Sequence, residues 1–584
     1  MTAIKTNSSF NPVHLELIKN AIGSVVDEMV LTVVRTAYSS IMKDTMDLSS
    51  AFCDRQGRMI AQGLSLPLHL GSIPDAMDKV LEHLGDDFVA GDVVILNDPY
   101  VAGGMHLPDI FMFMPVFRND YMLGFVVLVA HFNDMGGRVP GSSAADSTEI
   151  FQEGLRIPIV KLYEKGKRND MLLRIIRLNV RIPDVVEGDL DAQYAACRIG
   201  ERGIQELADK YGIDMLEEYF DELLNYSERA ARNTILSIPD GTYKFEDFLD
   251  DDGVTMGIPI SIKVHIEVTH DEILFDFQGS SKQVQGAINC TMSFVKSSVY
   301  FALRSVMSSD APNNSGFFRP VAVKAELGSI LNPRAPGACA ARGVTGFRVI
   351  DAITGALSFA VPKRIRAPGE GGTTSYSISG YDIDGRFNMF REAVMGNWGG
   401  GLNRDGLDGV ANPAANVGNA PCEMVEKQSP LQVDKYELVT DSGGAGKWRG
   451  GMAVRRQLTY LGESATIQLR SDRRMHPPYG LYGGKSGAPS NNELIEQGCS
   501  EQLPTKFVRQ IKKGQSICHT TAGSGGYGSP FERDPSLVLS DVLNDKVTKE
   551  AAEEVYGVCL NGPPWCVDEP ETDILRGAHE KESN

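Results

Sequence analysis

No stretch of this 584-residue chain is apolar for long enough to cross a bilayer; its densest run, FVVLVAHF, falls far short of the roughly 20 residues that a spanning helix needs. Positive charge is also scarce. Lys and Arg number 57 against 76 Asp and Glu, a net charge of −19, whereas a nucleic-acid backbone or an anionic membrane surface calls for a basic footprint. The nine cysteines include no CxxC and no paired spacing, which argues against a zinc ribbon or a disulfide framework. The opening MTAIKTNSSF holds no apolar signal segment, so a reducing cytoplasm is the expected compartment. Phosphate loops are missing too. GGAGKWRGG has Asp441 where a Walker loop needs its first glycine and Trp448 where it needs Ser or Thr. Gly523 to Gly528 spells GxGxxG, but SPFERDP follows it in place of a helix. Any ATP this protein works with is expected to bind elsewhere.

What is present is the composition of a folded protein, 42% hydrophobic and 23% charged, with length for about two to four domains. Asn11-Pro12 is a cap and first-turn proline, and apolar residues from Leu15 to Val34 recur at helical spacing, predicting a helix over roughly residues 12–40. AFCD and RMIA, split by RQG, predict a hairpin. PDAMDKVLEHLG predicts a second helix, DVVIL a strand, and residues 167–236 are helical in pattern. From Ile238 the chain alternates like antiparallel strands. Past about residue 390 glycine becomes dense, read as tight turns in a β-rich region. The expected fold is α+β: a large multi-domain chain with N-terminal helices, mixed and antiparallel sheets and a Gly-rich, β-rich C-terminal region. Its divisions are 1–237, an N-terminal α+β region with the candidate metal site; 238–390, a mixed β-rich middle; and 391–584, the Gly-rich, β-rich remainder.

Two histidines and four aspartates fall between Asn97 and Gly137, around FMFMPVF and YMLGFVVLVAHF, which are divided by the turn signal Arg118-Asn119-Asp120. If these runs pair, facing residue numbers sum to about 239, setting His131 opposite Pro108 and Asp109 with His106 nearby. Asp98 closes the DVVIL run and can reach the same edge. A His, Asp, His group at one sheet end suits a divalent metal. On residue types alone that reading stands level with ordinary turn aspartates and structural histidines, since no closed motif such as HExxH is present. Gly103-Gly104 and Gly136-Gly137 flank the histidines and let backbone approach a ligand closely, which favours the metal.

Ordered matches run down the chain: MDLSSAFCD, LPLHLGSIPDAM, GDVVILNDPYVAGGMHLPDI, AHFNDMGGRVPG, IFQEGLRIPIVKL, GDLDAQYAACRIG, LNPRAPGACAAR, NWGGGLNRDGLDG and GSGGYGSPFERDPSLVLSDV. On these the sequence resembles the hydantoinase B/oxoprolinase family across nearly its whole length. The resemblance implies the metal-binding subunit of an ATP-dependent hydrolase of cyclic amides (hydantoin, 5-oxoproline or lactam). Its partner would be a hydantoinase A type subunit that binds ATP and Mg2+ in an actin-like fold, in a heterotetramer with two copies of each. Relatives that carboxylate acetone or acetophenone with bicarbonate supply an alternative activity, and a non-catalytic scaffold subunit is a third reading.

The resemblance further implies a divalent ion, Zn2+ or Mn2+, held by His106 and His131 with Asp47 and Asp109 as acidic partners. Many relatives carry another histidine directly after the position of His131, where this chain has Phe132. In the chemistry so implied, Asp134 or Asp98 serves as general base or orients a ligand histidine, and His69 contacts the pocket. Glu153 and Arg156 are candidates for substrate contact. Arg449, Arg473 and Arg474 are candidates to meet a phosphorylated intermediate.

Overall fold

Asn11 caps the first helix, Pro12–Thr36, by accepting a hydrogen bond from the Val13 amide at 2.9 Å. Pro12 occupies a first-turn position whose N–H would lack an intrahelical partner. The stripe Ile18, Ile22, Val26, Met29 and Val33 is buried. The computed structural model describes residues 11–583 except 64, 65, 70, 86, 308–310, 372, 373, 383, 384 and 416, with side chains up to residue 577. The ten residues read above for a signal segment lie outside the described residues.

That stripe packs on a seven-stranded antiparallel sheet: β1 (Leu48–Asp54), β2 (Met59–Gln62), β3 (Val93–Leu96), β4 (Asp109–Arg118), β5 (Tyr121–His131), β6 (Val160–Glu164) and β7 (Lys167–Arg168), in the order β2-β1-β5-β4-β3-β6-β7. The β4–β5 hairpin turns on Asn119 and Asp120, both at positive φ, as a two-residue loop requires. Facing numbers sum to 239 near the turn (Phe117 with Met122) and to 240 beyond an irregularity at Val116/Phe117, so Asp109 faces His131. Period two sends Val126, Leu128 and Ala130 of β5 toward the helices Pro12–Thr36 and Pro183–Tyr211. Phe125, Val127 and Val129 join the opposite core, with the helix Ser72–Leu84 and a second sheet. Both faces are covered, which is why these strands read as unbroken apolar runs.

The second sheet holds β8 (Gly241–Leu249), β9 (Ile260–Thr269), β10 (Glu272–Asp276) and β11 (Val321–Lys324), antiparallel except for the β10–β11 pair. The helix Gly343–Ala360 packs on β8 and β9. It is buried on nearly every side, so no polar face marks it in the sequence as amphipathic.

Farther along, Thr374–Tyr381, Phe387–Val394, Ser464–Arg470 and Lys506–Lys512 form one sheet, and a five-stranded sheet faces it across a core of Ile378, Val394, Leu458, Ile467 and Ile517. The 237/238 division falls between the helix Ile213–Leu236 and β8. The 390/391 division falls inside the strand Phe387–Val394, because strand pairing rather than glycine density sets where this sheet begins. The glycines themselves serve close backbone approach more than turns: a β carbon on Gly523 would sit 1.7 Å from the Ser442 carbonyl oxygen, and one on Gly399 1.8 Å from that of Ala367. All nine cysteines are free. Among the described residues no helix is long and apolar enough to cross a membrane.

A buried carboxylate ties the loop after β5 to the segment before the helix Gly343–Ala360. Glu153 Oε1 accepts from the amides of Cys339 (2.6 Å) and Ala340 (2.8 Å). Burial raises its pKa from the ordinary 4.5 to about 7, despite those donors. The unfolded chain releases this proton near 4.5 and the folded protein only near 7, so the group's contribution to stability falls as pH rises between those values. Glu153→Gln keeps the accepting oxygen and is expected to flatten that part of the stability profile, measured by urea unfolding across the same pH range. Glu153→Ala is expected to cost about 1–3 kcal/mol even at the acidic end, through two orphaned buried amides.

Candidate metal centre

Three strand ends build the site. Asp109 opens β4 and His131 closes β5 as register partners. Asp47 precedes β1, whose Leu48 faces Ala130, so it flanks His131; the His131 amide donates to the Asp47 carbonyl at 3.0 Å. His106 enters from the turn before β4, where its carbonyl accepts from the Asp109 amide at 3.1 Å. His106, Asp109 and His131 are buried, and Asp47 is half-buried.

Their donor atoms converge. Asp109 Oδ1 lies 2.7 Å from His131 Nδ1 and 2.9 Å from His106 Nε2, and the two nitrogens are 3.2 Å apart. Asp47 Oδ2 stands 4.0 Å from His131 Nδ1. The tautomer of His106 follows from its surroundings: Nδ1 donates to the Ala340 carbonyl at 3.0 Å, so Nε2 presents a lone pair to a carboxylate oxygen. Two acceptors 2.9 Å apart repel unless a proton or a cation lies between them. Burial, then Arg342, presses the His106 pKa down to about 4, and burial with Arg391 does the same to His131, so a proton is disfavoured. Burial opposes ionisation of Asp109, but the Arg342 guanidinium on its other oxygen favours the carboxylate, and the carboxyl stays well below the usual range. Asp47 is shifted upward, chiefly by burial.

A metal fits this donor set. Neighbouring ligands on an octahedral ion, with bonds of about 2.1 Å at right angles, sit about 3.0 Å apart, and the three observed separations bracket that value. His131 Nε2, also buried, has no hydrogen-bond partner among the described residues. Imidazole and carboxylate ligands suit zinc and manganese alike.

Beside the cluster lies a cavity of about 60 Å³, lined in part by His69, Phe294, Arg342, Arg391 and Arg470. Arg342 Nη2 donates to Asp109 Oδ2 at 2.5 Å, and its guanidinium lies 4.5 Å from the Phe294 ring centre. His69 Nδ1 meets Ser49 Oγ at 2.7 Å. That hydroxyl donates to the Leu66 carbonyl (3.2 Å), so it accepts from His69 and leaves His69 Nε2 with a lone pair. Burial lowers the His69 pKa to about 4.

The structure thus brings together His106, Asp109 and His131, with Asp47 at their margin and His69 on the cavity wall. It places Asp134 and Asp98 in other work, off that wall. Asp134 accepts from the Gly141 amide (3.1 Å), the Arg181 amide (2.7 Å) and Arg181 Nη1 (3.0 Å), which fastens the loop after β5. Asp98 accepts from the amides of Tyr100 and Val101, each at 2.8 Å, and from Arg156 Nε at 2.5 Å. Both oxygens of each carboxylate are already engaged, which does not suit a base. Arg449 pairs with Asp408 (3.3 Å), Arg473 with Asp351 (2.5 Å), and Arg474 donates to the Leu503 carbonyl (2.7 Å), so none of these lines the cavity. The arginines that do were missed. Arg391 and Arg470 lie in strands of the C-terminal sheet, where nothing in local patterning separates an arginine facing a distant site from one facing solvent. Arg342 closes the family-like stretch LNPRAPGACAAR, the one signal that marked it.

Residues 11–530 match the hydantoinase B/oxoprolinase family. The B chain of a putative D-/L-hydantoinase from Pseudomonas sp. (strain NS671) is 33% identical, covering 99% of this chain and 100% of that protein. The β-subunit of the caprolactamase of Pseudomonas jessenii is 33% identical, covering 98% of this chain and 100% of its own length. The crystal structure of ATP-dependent caprolactamase from Pseudomonas jessenii matches with a TM-score of 0.92 at 31% identity, over 98% of this chain and 100% of that one. A nucleotide-free acetone carboxylase shares the fold, with a TM-score of 0.90 at 19% identity over 98% of this chain and 83% of that one. The chain is a member of the hydantoinase B/oxoprolinase family.

Proposed function

We propose that this chain is the metal-holding, hydrolytic subunit of an ATP-dependent cyclic amide hydrolase, opening a ring amide that a hydantoinase A type partner has phosphorylated. The observation that carries this reading is the meeting of His106 Nε2, His131 Nδ1 and Asp109 Oδ1 at separations of 2.7, 2.9 and 3.2 Å. Its support from kinship is the similarity to one chain of a hydantoinase and one of a caprolactamase. These three side chains would hold a divalent ion, Zn2+ or Mn2+, with Asp47 as a fourth ligand. Such an ion supplies Lewis acidity, polarising an oxygen and easing the deprotonation of water.

The remaining chemistry follows from the residues. An amide resists attack because resonance stabilises it, and phosphorylation of its oxygen makes the carbon electrophilic. A first water adds to that carbon; the C–N bond then breaks with a proton delivered to the ring nitrogen, leaving an acyl phosphate. A second water converts the acyl phosphate to carboxylate and inorganic phosphate. His69 takes the proton of the attacking water on Nε2, which carries the ring's lone pair because Nδ1 donates to Ser49. Arg342 keeps Asp109 ionised and fixed in direction.

Purified with its ATP-binding partner, the protein is expected to hydrolyse ATP only in the presence of a lactam, a hydantoin or 5-oxoproline, and without bicarbonate. A strict bicarbonate requirement would assign it to ketone carboxylation instead. Elemental analysis should find about one divalent ion per chain, absent from His106→Ala and His131→Ala together with turnover. An assembled His106→Ala complex that turned over at the normal rate would leave the cluster a structural feature of a scaffold subunit. His69→Gln should retain the ion and the assembly while kcat falls about a hundredfold or more.

A further inference from the structure

Deeply buried arginines in this protein are paired with carboxylates almost as a rule. Arg348 meets Asp472, Arg449 meets Asp408, Arg456 meets Glu392, Arg473 meets Asp351 and Arg533 meets Asp541. Arg391 and Arg470 break the pattern. Each is only 7% exposed, and neither forms an ion pair among the described residues. Arg391 donates to the Gly141 carbonyl and to Ser143 Oγ, both at 2.8 Å, and Arg470 Nη1 donates to the Ala340 carbonyl at 2.8 Å. Arg470 Nε, like the Nε of the five paired arginines, has no hydrogen-bond partner among the described residues.

Two buried cations whose hydrogen-bond partners are all neutral oxygens are expensive to desolvate, and the expense is offset once an anion arrives. The carboxylates that act on both from nearby are Asp47 and Asp109, each already engaged with the histidine cluster. Burial presses Arg391 down to about 10 and Arg470 to about 9, in keeping with charges that lack a counter-ion. Both side chains line the cavity that also receives His106, Asp109 and His131.

We propose that Arg391 and Arg470 form a subsite for a dianionic phosphoryl group, positioned against the His106–Asp109–His131 cluster. It rests on the function proposed above, in which the reacting molecule carries such a group. Charge favours this ligand class: two spare guanidinium charges match the roughly −1.5 to −2 of a phosphoryl group, while a carboxylate would leave one cation unanswered. Geometry favours it as well, since a guanidinium fork presents parallel donors to phosphate oxygens. Held there, the phosphoryl group orients the reacting carbon toward the cluster, and the two arginines act as positioning residues.

The test uses the full chain alone, with no partner subunit, nucleotide or amide. Inorganic phosphate and acetate are titrated into it by calorimetry. Phosphate is expected to bind, acetate to bind about tenfold or more weakly, and Arg391→Met and Arg470→Met each to weaken phosphate about tenfold or more. Thermal melts separate binding from folding. Removing an uncompensated buried cation should leave the ligand-free Tm unchanged or higher, while the Tm increase that phosphate produces in the parent protein disappears. Should a Met variant fail to fold, Arg391→Lys and Arg470→Lys, which keep the charge without the fork, provide the same comparison. Unchanged phosphate affinity in the folded variants, or acetate binding as tightly as phosphate, overturns the subsite. No turnover is involved in this readout. Arginine-dependent phosphate binding without amide-dependent ATP hydrolysis would therefore sink the proposed function and keep the subsite, and the reverse result would do the opposite.

Discussion

Two buried acceptors, His106 Nε2 and Asp109 Oδ1, face each other at 2.9 Å, and the surrounding architecture holds them in that unfavourable approach. The β4–β5 register sets Asp109 beside His131. The Ala340 carbonyl fixes the His106 tautomer, and Arg342 holds the other oxygen of Asp109. The Ala340 and Arg342 contacts each occupy a group that could otherwise have relieved the repulsion. What remains is a place suited to a small positive charge.

The Ala340 carbonyl joins the cluster to the rest of the cavity. It accepts from His106 Nδ1 at 3.0 Å and from Arg470 Nη1 at 2.8 Å, while the Ala340 amide is held by Glu153 at 2.8 Å. One residue's backbone thus orients a candidate metal ligand and a candidate anion-binding arginine together. The C-terminal sheets that supply Arg391 and Arg470 are themselves anchored by buried ion pairs. Arg348 of the helix Gly343–Ala360 meets Asp472 at 2.8 Å, Arg473 meets Asp351 of that helix at 2.5 Å, and Lys506 meets Asp472 at 3.1 Å. Such pairs add little net stability, because desolvation cancels most of their attraction, but they penalise any arrangement that parts them. Their value here is alignment.

Local patterning reached the β4–β5 hairpin and nearly its register; the one-residue offset comes from the irregularity at Val116/Phe117, which leaves no trace in hydrophobic alternation. It also reached the long first helix, whose apolar stripe and cap are short-range features. It did not reach the helix Gly343–Ala360, since burial on all sides erases periodicity. Asp47 entered through family resemblance alone, because its approach to His131 depends on β1 pairing with β5, a strand distant in sequence, rather than on any motif. Asp134 and Asp98 were plausible bases by type and position, yet each is filled by nearby amides and an arginine.

The amino-acid sequence by itself determined the family, the acidic globular character, the hairpin that presents His131 and Asp109, and the likeness from which a metal is inferred. Those depend on residue identity and on contacts between near neighbours. Which arginines surround the cavity, which carboxylates are already occupied and which tautomer His106 adopts were decided only in three dimensions. The decisive contacts, such as His106 with Ala340 or Asp109 with Arg342, join groups far apart in the chain, and long-range pairing of that kind follows from packing rather than from local pattern.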